Sequence, residues 1–497
     1  VMPEPKLFIQ PDTSSLLARV SHFLVQQGIK AYLTGGLVRD MLLGRDTADI
    51  DIALDASALE VAPRVAAALG GKYVLLDEIN KIGRVVVSKE SARWELDFTT
   101  MEDGIEQDLA RRDFTIDAMA IDLEEFVRQP QTPRLIDPFA GQDDLERRLI
   151  RVVGSDVFPA DPARLLRAVR LAAELDFSID GGTEALIRRH AQLVASVAGE
   201  RVREELLRLL ALAGSGQLLF YLDTLGLLTA LIPELELAKG VEQPKEHCWD
   251  VFHHSIVTVD AVDFLLRQGT WEYAGEEALA PVPWSEELEQ HFAREVSHGS
   301  TRRSLLKLAA LLHDIAKPQT KTVEESGRTR FLGHAKDGAL VAAGVMERLR
   351  FSTKEIKLVE VMVRYHLRPT QMSHEGLPSR RAIYRYFRDV GEAGIDVLFL
   401  SLADHLASRG EHLDLAQWRA HAQMTSYVLA QHFAEASLTV PPKLVSGHDL
   451  INLFGLKPGP RIGEILEAVR EAQAAGEVAT REEALAYIRR LLASSSS

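Results

Sequence analysis

The segment GGLVRDMLLGRDTADIDIAL, residues 35–54, constrains this chain more than any other. AYLT before it has strand character. Gly35 and Gly36 make a tight turn, and LVRDMLLG begins a helix whose free backbone N–H groups face an incoming phosphate. ADIDIAL then alternates, with Ile50 and Ile52 on one face and Asp49 and Asp51 on the other. Residues two apart on a strand sit roughly 6–7 Å apart on the same side. Two carboxylates so placed can hold two divalent ions about 3.5–4 Å apart, which aligns the attacking and leaving oxygens of phosphoryl transfer. A bare pair of aspartates would be a solvated strand edge. The Gly–Gly turn and Arg39–Asp40 at this spacing argue for a nucleotidyl-transfer site instead.

Around that segment, residues 30–155 alternate strand and helix patterns: AYLT, ADIDIAL, a helix from Ala56 to Leu69, KYVLL, GRVVVS, ARWELDFTT, then a helix at RRDFTIDAMA. This predicts a small α/β domain. Before it lies an amphipathic helix, Ser14 to Gln27. From about Asp156 helical periodicity dominates to the end. Residues 269–303 interrupt it with Gly, Pro and acidic residues and read as an inserted surface loop with one short helix. Residues 437–446 read as a linker to a terminal module, in which Thr480 and Glu483 have capping-box spacing; the final serines read as disordered. At 497 residues, several domains are expected.

Cys248 is the only cysteine, which excludes a disulfide framework and suits a reducing cytosol. No apolar run has membrane-spanning length, and VMPEPKLFIQP lacks a signal pattern, so a cytoplasmic protein is expected. The net charge of −15 gives no hint of RNA; nucleic-acid binding would need a local groove, not a basic surface.

With its downstream motifs, the chain resembles the class II CCA-adding tRNA nucleotidyltransferase and bacterial poly(A) polymerase family. The resemblance rests on residues 35–54, then RRDFTIDAMA (Arg111 to Ala120), DPFAGQDDLERRLIR (Asp137 to Arg151), ADPARLLRAVRLAAELDF (Ala160 to Phe177) and RVREELLRLL (Arg201 to Leu210), in the family's order. It implies a polymerase-beta-like head with Mg2+ on Asp49 and Asp51. In ARWELDFTT, Glu95 and Asp97 face away from Trp94, Leu96 and Phe98. Asp97 better matches the family's third carboxylate, as general base for an RNA 3′-hydroxyl or as completion of the metal set. Gly35, Gly36, Arg39, Arg111 and Arg112 are the implied triphosphate and sugar contacts, the last two at a helix start.

Asp161, Arg164, Arg167 and Arg170 recur every three residues as a stripe along a helix face. An Asp accepts from an exocyclic amine and an Arg donates to the neighbouring ring nitrogen, so one such pair admits C and A and rejects U and G. The resemblance assigns this to Asp161 and Arg164, supported by Arg167 and Arg170. Two departures stand out. Asp117 occupies a position where the family often has Asn, and Ala160 one that is often acidic.

A second constellation follows. LAALLHDIAKP places His313 and Asp314 within an apolar helix that ends before Pro318. Burying that pair is costly unless it binds metal or each other. His254, His334, His366 and Asp404 lie on successive helical patterns that can converge in a bundle core. The set resembles the HD phosphohydrolase superfamily, which implies His254, His313, Asp314 and Asp404 as metal ligands and His334 and His366 as additional ones. Imidazole and carboxylate without thiolate suit a divalent transition metal or Mg2+.

The expected organisation is multidomain: an N-terminal helical extension (1–29), the α/β head (30–155), an all-α neck (156–240), an HD body (241–436) and a helical tail (437–497) in which Lys443, Lys457 and Arg461 could meet RNA phosphates. The expected partners are tRNA or other RNA 3′ ends, with ATP and CTP. Poly(A) addition, A-only or CC-only addition, and an HD hydrolase with an RNA-binding head are the alternatives.

Overall fold

In the computed structural model the alternating segments of the first domain assemble into one seven-stranded sheet in the order β3-β4-β5-β2-β1-β6-β7. Its strands are β1 (Ala31–Thr34), β2 (Asp49–Leu54), β3 (Lys72–Asp77), β4 (Ile82–Lys89), β5 (Ala92–Thr100), β6 (Ala120–Asp122) and β7 (Leu135–Ile136). The structure describes residues 7–89, 92–244, 247–372, 376–434 and 443–494. β2 and β5 run parallel, and the other neighbours are antiparallel. Alternation decides which face is buried. Ile50, Ile52, Val85, Val87, Trp94, Leu96 and Phe98 form the core face. The helix Ala58–Leu69 lies against β3, β4 and β5 and contributes Val61, Ala62 and Val65 to that core. The helix Pro11–Gln26, three residues longer at its start than expected, packs Leu17 and Val20 on the same body, and Trp94 donates to Thr13 Oγ1 at 3.1 Å.

The chain divides into two compact units, residues up to 197 with 225–227, and residues 198–224 with 228 onward. The stretch expected as a neck, 156–240, contributes to both. The second unit is helical, built on Val251–Leu265, Arg302–Leu312, His334–Arg348, Thr353–Tyr365 and Gly394–Arg409. A separate apolar cluster, with Leu450, Ile465, Val469 and Ile488, holds the tail helices Gly447–Phe454, Pro460–Ala474 and Arg481–Ser494 together. The expected capping box is present: Glu483 N donates to Thr480 Oγ1 at 3.2 Å and Thr480 N to Glu483 Oε2 at 3.1 Å. The expected linker at 437–446 lies largely outside the described residues, as do residues 495–497 of the serine tail.

Four expectations are corrected. RRDFTIDAMA is not a helix: Arg111 caps the C-terminal end of the short helix Ile105–Ala110, and only Thr115–Asp117 turn before β6. Arg111 and Arg112 therefore sit at a helix end, where the dipole favours cations. Asp161 precedes the helix Arg164–Leu175 in extended conformation, so the stripe starts one residue type short. His313 and Asp314 follow the helix Arg302–Leu312, and Pro318 opens the next turn, Lys317–Thr320. Residues 269–303 are not a surface loop. They form the helices Glu276–Leu279 and Glu286–Ala293 and a small strand pair, with Trp271, Leu288 and Phe292 buried. Among the described residues, no helix is long and apolar enough to cross a membrane.

Candidate active sites

The β2–β5 register sets the first site. Asp51 is the Cα partner of Asp97 and Asp49 that of Glu95, so the four carboxylates share the face opposite the core. Asp49 is exposed at the start of β2. Gly35 turns the chain with φ 68° and ψ −143°, a region closed to other residues, and a Cβ there would collide with Asp51 Oδ2 and Arg112. The helix Gly36–Leu43 starts from this turn. Burial pushes the Asp51 carboxyl up, only partly offset by the Arg112 guanidinium and reinforced by Asp97. A cation on this face would remove that penalty, and the all-oxygen donor set fits Mg2+.

The arginines divide. Arg112 donates to Thr34 Oγ1 at 2.7 Å, and its neighbourhood to Gly35 and Asp51 places it at the site. Arg111 pairs with Asp103 at 2.7 Å on the surface. Arg39 is largely buried, forked onto Asp40 (2.9 and 3.2 Å) and bonded to Asp117 Oδ1 at 2.7 Å. It ties the helix after the glycine turn to the Thr115–Asp117 turn, with one N–H from each of its three nitrogens engaged there. Asp117 is fully enclosed. Burial raises its carboxyl against the pull of Arg39, and its Oδ2 has no hydrogen-bond partner.

Arg167 reaches Asp113 at 3.0 Å, and Arg164 donates to Arg111 O at 3.0 Å while lying 3.8 Å from Asp161 Oδ2. Asp161 and Arg164 are thus adjacent and part-exposed. Arg170 is buried and ion-paired with Glu174, four residues on. Sequence reading missed Arg84 on β4. It is the Cα partner of Asp97 and grips both its oxygens, Nε to Oδ1 at 2.7 Å and NH2 to Oδ2 at 2.8 Å, while also pairing with Glu95. Its position two residues into an alternating strand was the available signal.

The second site lies in the helical unit. His254 Nε2 stands 3.2 Å from His313 Nε2, 3.1 Å from Asp404 Oδ1 and 3.5 Å from Asp314 Oδ2. His313 Nε2 is 3.2 Å from Asp314 Oδ2. His334 and His366 approach the other oxygen, Asp314 Oδ1, at 3.4 and 3.9 Å. All six expected ligands therefore converge. His313, His334 and His366 share one device: Nδ1 lies 2.7, 2.6 and 2.7 Å from the carbonyl three residues earlier, of Ala310, Phe331 and Val363. Donation from Nδ1 turns each Nε2 toward Asp314, the orientation a metal-binding imidazole requires. Neither Asp314 oxygen accepts a well-directed hydrogen bond and His334 Nε2 has no partner, although Lys317 Nζ lies 2.5 Å from Asp314 Oδ2. Against the cost of burial, His313 and Lys317 hold Asp314 well below the carboxylate range. Burial lowers His366 to about 3, so it is neutral and fit to ligate. Two groups, His254–His313–Asp314 and Asp314–His334–His366, have donor atoms close enough for an ion each. They open into a cavity of about 870 Å³ rimmed by Lys317, Arg328, Arg330 and Arg409.

Four family descriptions match successive stretches. They are the Poly A polymerase head domain (31–151), the probable RNA and SrmB-binding site of polymerase A (176–239), the HD domain (284–409) and tRNA nucleotidyltransferase domain 2 (412–488). The HD match begins after His254, which the fold nonetheless brings to the cluster. The A-adding tRNA nucleotidyltransferase of Deinococcus radiodurans is 35% identical over 470 residues, covering 93% of this chain and 95% of that one. The CC-adding tRNA nucleotidyltransferase of Geobacter sulfurreducens is 32% identical over 483 residues, covering 97% and 96%. Among solved structures, a CCA-adding enzyme in complex with CTP aligns with TM-score 0.63 at 22% identity, over 97% of this chain and 96% of that one, which shows a shared fold.

Proposed function

Because the chain belongs to the tRNA nucleotidyltransferase and poly(A) polymerase family, we propose that it extends tRNA 3′ ends with C and A nucleotides taken from CTP and ATP, restoring a terminal CCA. The observation that carries this is the shared sheet face of Asp49, Asp51 and Asp97 beside the Gly35 turn. In this reading Asp49 and Asp51 would hold Mg2+, which would supply alignment and charge neutralisation for the in-line displacement. Gly35 lets the backbone approach the triphosphate, and Gly36 opens the helix whose N–H groups face it. Arg112, with Arg111 at the rim, meets the anion; Arg39 acts by fixing the helix through Asp40 and Asp117. Asp97, with both oxygens accepting from Arg84, completes the metal set more readily than it takes the 3′-hydroxyl proton. Asp161 and Arg164 read the base edge, Arg167 steadies them through Asp113, and Arg170 secures the helix.

Purified protein with tRNA lacking its CCA end, given CTP and ATP separately and together, tests this. CCA addition needs both, and no Asp49-dependent incorporation of either refutes it. A second reading, A-only or CC-only addition, is favoured by the names of the relatives that match along nearly the whole chain. It is distinguished by A incorporation confined to tRNA ending in CC, or by extension stopping after C. Asp161→Ala tests base choice: UTP and GTP should enter at measurable rates, since an unpaired polar edge costs about 1–3 kcal/mol.

For the helical unit the reading is a metal-dependent phosphohydrolase. His254, His313, Asp314 and Asp404, with His334 and His366, would hold one or two divalent ions that supply an activated water. The cationic rim suits a phosphoester, and the class proposed is a 2′,3′-cyclic phosphate or 3′-phosphate on a damaged RNA end. His313→Ala should then block addition to such ends while sparing tRNA with a free 3′-hydroxyl; equal processing of both would refute it. The tail residues Lys443, Lys457 and Arg461, all exposed, are proposed RNA contacts. A cytoplasmic location fits work on tRNA with nucleoside triphosphates and the exposed thiol of Cys248.

A further inference from the structure

The sheet face of Asp49, Asp51, Glu95 and Asp97 concentrates negative charge, and β4 sends one cation into it. Arg84 is opposite Asp97 in the β4–β5 register. Its fork takes Asp97 Oδ1 and Oδ2 at 2.7 and 2.8 Å, and NH1 bonds Glu95 Oε2. The other Glu95 oxygen accepts from Arg93 NH2, two residues earlier on β5, at 2.7 Å. Asp97 stands directly beside Asp51 in the β2–β5 register. Two carboxylates so placed repel one another unless a cation lies between or beside them. A bidentate guanidinium supplies both charge and geometry, since its planar fork fixes the carboxylate plane.

We propose that Arg84 is the resident counter-ion of this carboxylate face, a positioning residue that holds Asp97 in register beside Asp51 and competes with incoming divalent ions for it. The inference rests on the nucleotidyl-transfer reading above. Two consequences follow from opposite sides of the same contact. Removing Arg84 deletes a competitor and tightens divalent binding. It also releases the Asp97 plane, which slows turnover without changing nucleotide binding.

The test is Mn2+ titration of the full chain, followed by electron paramagnetic resonance, counting only the binding that Asp49→Ala abolishes. Arg84→Met, similar in length and uncharged, should bind this Mn2+ at least about threefold tighter. It should lower kcat for tRNA extension while leaving KM for CTP and ATP within about twofold. In an Asp97→Asn background the same substitution should leave Mn2+ affinity unchanged, because the competition runs through Asp97. Unchanged or weaker Mn2+ binding by folded Arg84→Met overturns the inference, as does an equal gain in the Asp97→Asn background. If Arg84→Met fails to fold, Arg84→Lys decides: losing the fork but keeping the charge, it must bind Mn2+ between parent and threefold gain, and parent-like affinity overturns the proposal. Absence of any Asp49-dependent Mn2+ binding in the parent chain overturns the underlying reading and this inference with it.

Discussion

His254 and His313 bring their Nε2 atoms to 3.2 Å inside the helical unit, although 59 residues separate them. Both side chains are fully buried. With His313 Nδ1 committed to Ala310 O, its Nε2 faces His254. Two such nitrogens attract only through a shared proton or a cation, and Asp314 and Asp404 close the cluster with negative charge.

The corresponding prediction is metal-linked stability. Chelator-treated protein should melt earlier than protein given Mn2+, Co2+ or Ni2+. Mass action gives about 2.7 kcal/mol at a hundredfold excess over Kd. His313→Ala should erase most of that difference. A melting profile indifferent to chelation and to all three ions would show that the six side chains satisfy one another without metal.

At the head, the two glycines of the turn should behave differently. Gly35→Ala forces a Cβ onto Asp51 Oδ2 and Arg112 at φ 68°, whereas Gly36 would meet only the Arg39 guanidinium, at 3.3 Å. A displacement of about 1 Å at a reacting centre costs on the order of 100-fold in rate, and the strained backbone about 1–3 kcal/mol. Gly35→Ala should therefore lose extension activity and melt earlier, while Gly36→Ala stays within about tenfold of the parent. Parallel activity and melting assays on both variants check this; equal effects would remove the steric argument.

These contrasts mark where the sequence could be read. Period-two alternation is local, so it puts Asp49 with Asp51, and Glu95 with Asp97, on one side of each strand, whereas their common face needs the β2–β5 register; the Thr480 cap needs only a four-residue pattern. Arg84 sits in a legible alternating strand, but its pairing with Asp97 depends on the β4–β5 register, which no local pattern fixes. Arg111 and Arg112 were placed at a helix start because the preceding helix, Ile105–Ala110, has only six residues and carries little periodic signal. Residues 269–303 read as loop from their Gly and Pro content. Tertiary burial of Trp271, Leu288 and Phe292 overrides that composition. The HD ligands were legible as residue types, but the Nδ1–carbonyl device that aims them appears only in three dimensions.

Asp260 provides a pH-dependent prediction. Burial, with Asp263 next in effect, pushes its carboxyl up to about 6, although Gly216 and Gln217 N–H groups donate to it. A folded value above the unfolded one (about 3.9) stabilises the fold at low pH. The benefit declines as pH rises through about 4 to 6, and above that the ionised form costs on the order of 2–3 kcal/mol. Asp260→Asn keeps an acceptor for the two N–H groups and abolishes the titration. Its melting temperature should match the parent near pH 4 and exceed it near pH 8. A constant offset across a pH series of melts would assign the effect to packing.

The tail module should respond to salt. Its apolar core is its own, and its contact with the helix Arg380–Val390 is a ladder of charged pairs. Arg381 NH2 lies 2.9 Å from both oxygens of Glu477, Arg385 forks onto Glu471, and Arg388 NH1 bonds Glu467 and Glu471 at 3.0 Å each. Tyr384 adds a hydrogen bond to Glu467 at 3.0 Å. Part-exposed pairs of this kind contribute about 0.2–1 kcal/mol each, and 1 M salt shortens the Debye length to about 3 Å. The ladder should therefore loosen while both folded parts persist. Spin labels on exposed positions of the helices Arg380–Val390 and Pro460–Ala474 should report a broadened distance distribution in 1 M NaCl relative to 50 mM. Arg385→Ala with Arg388→Ala should produce the same broadening at low salt, without loss of helical signal. A single narrow distance under all three conditions would mean that apolar packing, not the arginine ladder, holds the tail in place.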